Sequence, residues 1–164
     1  MRKAKLITVM IIMGLALGAL SCQTLSAKAG SPATLEVIPA ETFLSPALIK
    51  KPVSFTGSGF QREEMISIEM ILPPGLEMKG LNEDENVVGI AVATADDQGN
   101  FKAAMAPTAT LNWFFQVGWT PLLTPDLKKA KPIPPDVYKI TATGLASDRV
   151  ATATLKIVPP PKKK

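Results

Sequence analysis

Few residues in this chain could carry out bond chemistry, and their types decide which reactions are open. The 164 residues contain no His and a single Cys, Cys22. Without an imidazole, no Ser-His-Asp or Cys-His relay can form within the chain, and neither can the usual His-bearing zinc sites. With one thiol, no intramolecular disulfide can form. Carboxylates, hydroxyls and lysines remain. Ser58 lies in Gly57-Ser58-Gly59, which is not the G-x-S-x-G turn that exposes an activated serine. Glu63 and Glu64 are adjacent, so on a strand they would point to opposite faces instead of forming an acid/base pair. Glu83, Asp84 and Glu85, with Asp96 and Asp97, supply oxygens of the kind Ca2+ takes. Their spacing lacks the alternating ligands around a glycine of an EF-hand loop, and they read as solvated turns. The chain is expected to be noncatalytic, with no metal and no cofactor.

The one thiol sits in a context of its own. Arg2, Lys3 and Lys5 precede an apolar run from Leu6 to Leu20, interrupted by Thr8. Positive charge followed by a short apolar stretch is the form of an export signal. As a helix the run would be about 22 Å long, against about 30 Å of hydrocarbon core, which argues for a cleaved signal over a membrane span. Ala19-Leu20-Ser21-Cys22 resembles the lipobox of bacterial lipoproteins, with Ala19 where that family usually has Leu. The resemblance implies a signal peptide over 1–21, diacylation of the Cys22 sulfur and Cys22 as the first mature residue. It also implies the outer membrane, since Gln23 and not Asp follows the cysteine. A second site competes: Ala27-Lys28-Ala29 before Gly30 is an A-x-A pattern, whose cleavage would release a soluble secreted protein. The partner expected at Cys22 is therefore the membrane, with secretion as the alternative.

Beyond the signal, about 140 residues suffice for one domain with a core. The formal charge of +4 shrinks once the signal is set aside. Without Arg2, Lys3 and Lys5 the 18 basic residues become 15, against 14 acidic ones. Lys162–Lys164 supply three of those positives. No basic face points to nucleic acid. Residues 22–33 are small and polar and read as a tether. Pro159-Pro160-Pro161 followed by three lysines makes 159–164 an extended tail.

From Thr34 onward, apolar and polar residues alternate. Leu35 and Val37; Val53 and Phe55; Ile66, Ile68 and Met70; Val88, Ile90 and Val92; Phe101, Ala103 and Met105; Tyr138, Ile140 and Ala142; and Ala151, Ala153, Leu155 and Ile157 form seven period-2 segments. Gly, Pro, Asn and Asp separate them. Repeated short strands with turn signals, and 15 prolines against helices, predict an all-β sandwich over 34–158.

Three segments carry a further resemblance. Phe55-Thr56-Gly57-Ser58-Gly59-Phe60, followed by Glu64-Met65-Ile66-Ser67-Ile68, is similar to the early strands of bacterial immunoglobulin-like modules of the IPT/TIG kind. Asp96 to Phe101 is similar to their D-x-x-G-x-F hairpin. Pro134 to Ala142 is similar to their P-G-x-Y strand, with Asp136 where Gly is usual. The resemblance implies an immunoglobulin-like antiparallel β-sandwich of about seven strands, preceded by the signal-peptide helix. It places Tyr138 at a tyrosine corner, its hydroxyl tied to backbone.

Two segments break the alternation. Residues 73–86 form a polar loop. Residues 107–135 form an insertion whose stretch from Leu111 to Trp119 holds both tryptophans and two of the six phenylalanines. Trp113, Phe115 and Val117 share one parity, which predicts an extra strand or hairpin. Packed on the domain, the aromatics would be a lid; exposed, they would contact a protein partner, a glycan or a lipid. Trp113, Phe114, Phe115 and Trp119 are the candidate contact residues. Lys128, Lys129 and Lys131 follow and could meet anionic lipid or polysaccharide, or lie in a solvated loop. The sequence thus predicts an exported, membrane-anchored module that binds an envelope protein, with glycan or cell-wall binding as the alternative.

Overall fold

The computed structural model describes residues 31–82 and 84–162. The signal segment, Cys22, most of the tether and Glu83 lie outside the described residues. The alternating segments form the strands of two sheets. One sheet holds β1 (Thr34–Ile38), β3 (Ser54–Ser58) and β6 (Phe101–Ala104), in the order β1-β3-β6 and antiparallel throughout. The other has the order β2-β10-β9-β4-β5. It contains β2 (Glu41–Phe43), β4 (Met65–Ile71), β5 (Val87–Thr94), β9 (Asp136–Gly144) and β10 (Val150–Val158). Its pairs are antiparallel except β2, which runs parallel to β10. The fold is an all-β sandwich. β2 escapes the sequence reading because three residues are too few to show a period. A short helical turn, α1 (Ala47–Lys50), tucks Leu48 into the core between β2 and β3.

The faces turned inward carry the alternating apolar residues. Phe55, Ile66, Ile68, Met70, Ile90, Tyr138, Ile140 and Leu155 are buried completely or nearly so. Each such side chain contributes roughly 1.5–3 kcal/mol relative to exposure. Phe60 meets Phe101 edge-on with ring centroids 5.4 Å apart. Gly57 permits this, because a Cβ there would collide with the Phe101 ring.

One alternation breaks within a strand. Ile68 pairs with Ala91, but Glu69 pairs with Gly89, so Ile90 is an extra residue in β5. This bulge reverses the parity beyond it. Ala91 and Ala93 turn inward while Val92 is 64% exposed, the opposite of what strict alternation predicts.

The register also gives the domain two distinct ends. Thr34 pairs with Ser58, and Gly57 with Phe101. Ser31 and Pro32 lie against Gly59. The chain therefore enters at the end where β3 finishes and β6 starts. At the opposite end Ser54 pairs with Ala104 and Asp136 with Ile157. The 107–135 insertion departs and returns there. Strands of nine residues set the two ends about 30 Å apart.

The entry end is fastened by Glu64. Glu63 and Glu64 lie in the turn before β4 and not on a strand, with Glu63 at φ 57 and Glu64 buried. The Glu64 carboxylate accepts from Gln61 N–H, from Ala146 N–H at 3.2 Å, and from Ser147 N–H and Oγ at 3.0 and 2.9 Å. Arg149 donates to the Gly59 carbonyl beside it. Burial acts to raise the Glu64 pKa, but the combined hydrogen bonds outweigh it and hold the pKa below 4.5. The folded-state pKa is thus below the unfolded one. The resulting stability is present above the ordinary carboxylate range and is lost as pH falls through the lowered value. Glu64→Ala strands several donors and should cost about 1–3 kcal/mol at neutral pH. In thermal unfolding, the gap between wild type and Glu64→Gln should narrow as pH drops below the carboxylate range; an unchanged gap would remove Glu64 from this role.

Candidate functional site

The stretch from Trp113 to Val117 is not the strand that its parity predicts; the hairpin of the insertion lies further on. Pro107 opens a helical turn, α2 (Pro107–Ala109), at the position where a missing N–H costs nothing. A π-helical turn follows over Thr110–Phe114, with the Phe115 N–H donating to the Thr110 carbonyl at 3.1 Å. Helical geometry separates neighbours that alternation would place on one face. Phe114 is fully buried and is a core residue, which removes it as a contact candidate. Trp113 and Phe115 are half-buried and packed against the core. The Trp113 indole donates to the Gly89 carbonyl at 3.0 Å, and Ala106 N–H donates to the Ile90 carbonyl at 3.1 Å. Both carbonyls belong to β5, an edge strand. The first half of the insertion therefore covers a sheet edge that would otherwise invite pairing.

The second half is a small hairpin. β7 (Gly118–Trp119) pairs with β8 (Pro125–Asp126), and a 3-10 turn over Leu127–Lys129 follows. Thr120 N–H donates to the Thr124 carbonyl at 3.0 Å, and Leu123 N–H to the Thr120 carbonyl at 2.9 Å. The two threonine hydroxyls bond each other at 2.6 Å. This clamp holds Leu123 at φ 56, in left-handed backbone that costs a branched residue roughly 1–2 kcal/mol. At the tip Leu122 is 86% exposed and Leu123 79%. Leu127 is exposed at the base, as is Trp119 at 43%. The Trp119 indole is fixed by donation to Asn112 Oδ1 at 2.9 Å. The hairpin rests on packed residues: Val117 and Ile133 are buried. Lys131 and Ile133 N–H donate to the carbonyls of Phe115 and Phe114 at 2.9 and 3.0 Å.

Of the four aromatic candidates, only Trp119 is thus part of the exposed surface. Leu122, Leu123 and Leu127 are exposed apolar residues beside it that sequence reasoning missed. Pro121 and Pro125 bracket Leu122 and Leu123 and disfavour a helix there.

The ionisable groups displaced from their ordinary ranges serve the fold. Besides Glu64, Asp96 has its pKa lowered chiefly by the Asn100 N–H, which donates to it at 2.9 Å, and further by Gln98 N–H at 2.8 Å. It closes the turn before β6. Tyr138 is pushed up to about 12 by burial and by Asp136. Its hydroxyl donates to the Pro134 carbonyl at 2.8 Å, as a tyrosine corner requires. Among the described residues, no three carboxylates or thiols gather as a metal site would need.

No family model matches the sequence, and neither does any curated protein. Among solved structures, a mutant β-glucosidase from Listeria innocua in complex with laminaribiose matches with a TM-score of 0.38 and 9% identity. The β-glucosidase of that organism in complex with glucose gives 0.36 and 11%. Each match covers 77% of this chain but only 16% of the glucosidase. BslA, a bacterial hydrophobin, matches with a TM-score of 0.36 and 14% identity over 81% of this chain and 98% of BslA. At these scores the likenesses assign neither family nor activity.

Scaffold and contact roles separate by mutation. Trp113→Ala removes an edge cover and should cost about 1–3 kcal/mol in thermal or denaturant unfolding. Trp119→Ala should cost less than about 1 kcal/mol. Equal losses would contradict the division.

Proposed function

We propose that this protein is an exported, noncatalytic immunoglobulin-like module of the bacterial envelope that works by binding a protein partner. The observation that carries the reading is the exposed apolar tip of the hairpin, braced by the Thr120–Thr124 hydrogen bonds at the end of the sandwich away from the chain's entry. Large exposed apolar side chains clustered on a preorganised support mark contact surfaces, because less conformational freedom is lost on binding. In this reading Cys22 carries the lipid, as its lipobox-like setting implies. Residues 22–33 span up to about 40 Å when extended. The tether joins the domain at its entry end, and Trp119, Leu122, Leu123 and Leu127 lie exposed at the opposite end, free to meet a partner. A glycan platform would present several exposed aromatic rings, and among the four aromatic candidates only Trp119 is exposed; this favours a protein partner.

The test is photo-crosslinking in cells expressing the full chain, with benzoylphenylalanine in place of Leu127. A discrete protein adduct is expected in the membrane fraction. Leu122→Asp with Leu123→Asp should abolish it at unchanged unfolding temperature, since both residues are exposed. Cys22→Ser should move the protein to the soluble fraction. Failure to form any protein adduct would overturn the contact reading.

A further inference from the structure

Beside the base of the hairpin lies a recess of about 630 Å³ between the 77–79 loop and the end of the insertion. Lys79, Lys129 and Lys131 line it, together with Glu77, Met78 and Gln116. The recess is built from both sides: Lys79 N–H donates to the Gln116 Oε1 at 3.3 Å, and Gln116 is held at φ 44. Lys129 pairs with Asp126 at 3.6 Å. Lys79 and Lys131 have no carboxylate within 4.0 Å among the described residues.

This concentration of lysines runs against the rest of the domain. Residues 31–162 contain 12 Lys and Arg against 14 Asp and Glu, so the body is net acidic, while the recess lining holds three lysines and one carboxylate, Glu77. From Gly118 to Pro125 the chain has no charge at all. The base of the hairpin that carries this uncharged apolar tip therefore borders a lysine-rich hollow, at the end of the sandwich opposite the one where the chain enters. Lysines gathered along one hollow favour an anion there over a cation. A hollow admits a projecting side chain, whereas a bilayer surface is flat.

We infer that the partner carries an acidic segment, whose Asp or Glu carboxylates seat between Lys79 and Lys131 beside an apolar socket for Leu122 and Leu123. This inference rests on the protein-contact reading and names the chemistry of its partner. The apolar socket supplies desolvated contact; the lysines set register and speed encounter in a salt-dependent way.

The experiment uses the Leu127 photo-crosslink in the full chain, with the adducted peptide identified by mass spectrometry. Lys79→Glu with Lys131→Glu should reduce the adduct at least tenfold. Changing acidic residues near the crosslinked site of the partner to lysine should restore it. Lys79→Ala with Lys131→Ala, which adds no repulsion, should reduce it by a smaller factor. An undiminished adduct in the Glu variant would overturn the acidic-segment inference and leave the contact reading standing. A phospholipid adduct with no protein adduct would overturn both.

Discussion

The seat of Tyr138 joins the sandwich to everything that projects from it. The ring is fully buried between the sheets, and its hydroxyl holds the Pro134 carbonyl one turn upstream. Pro134 ends the insertion, and the buried Ile133 beside it is bonded to the carbonyl of Phe114. One side chain thus aligns β9 within its sheet, closes the returning limb of the insertion and presses that limb onto the core. The insertion is anchored at its departure as well, through Ala106 and Trp113 on the β5 edge. A segment of this length tied only at its ends would lose much entropy on ordering. Tied to the sandwich through Trp113 and Pro134, and across its own two limbs through Phe114 and Ile133, it becomes a platform that supports the hairpin.

Most of the sandwich was legible in the alternation because burying one face of each sheet imposes a period of two. The seven segments around Val37, Phe55, Ile68, Ile90, Phe101, Ile140 and Leu155 all became strands. The local exception is the bulge at Ile90, where one added residue reverses the faces of Ala91 and Val92. No composition signal marks it, since alanine and valine are both acceptable on either face. The insertion was misread for a related reason. Trp113, Phe115 and Val117 share a parity, yet Pro107 starts a helical turn that carries through Phe114. There the side-chain arrangement follows the helix and not the parity. Glu64 was hidden by the same kind of error, because a charged residue beside another charged residue reads as solvated until its four donors from 61, 146 and 147 converge.

The candidate site was legible as a region and not as a residue list. An aromatic-rich connection of this length signals either a lid or a surface, and the structure divides it into both. Phe114 belongs to the core, Trp113 and Phe115 to the edge cover, and Trp119 to the surface. The leucines that complete the surface carry no periodicity, so nothing in a pattern search singles them out. Their exposure follows from Pro121, Pro125 and the Thr120–Thr124 clamp, which hold a tight turn in place of an element that could bury them. Recognition that relies on such a tip gains from its rigidity, because the cost of ordering it is met during folding.

The central claim is that the apolar tip is preorganised by the packed insertion. Amide hydrogen exchange of the mature protein tests it most directly. The account expects the amides of Val117, Thr120, Leu123, Lys131 and Ile133 to be protected far beyond an unstructured chain, since each donates to a backbone carbonyl, with exposed Leu122 exchanging fast. Exchange at the unprotected rate across residues 118–126 would show a floppy loop and contradict the account.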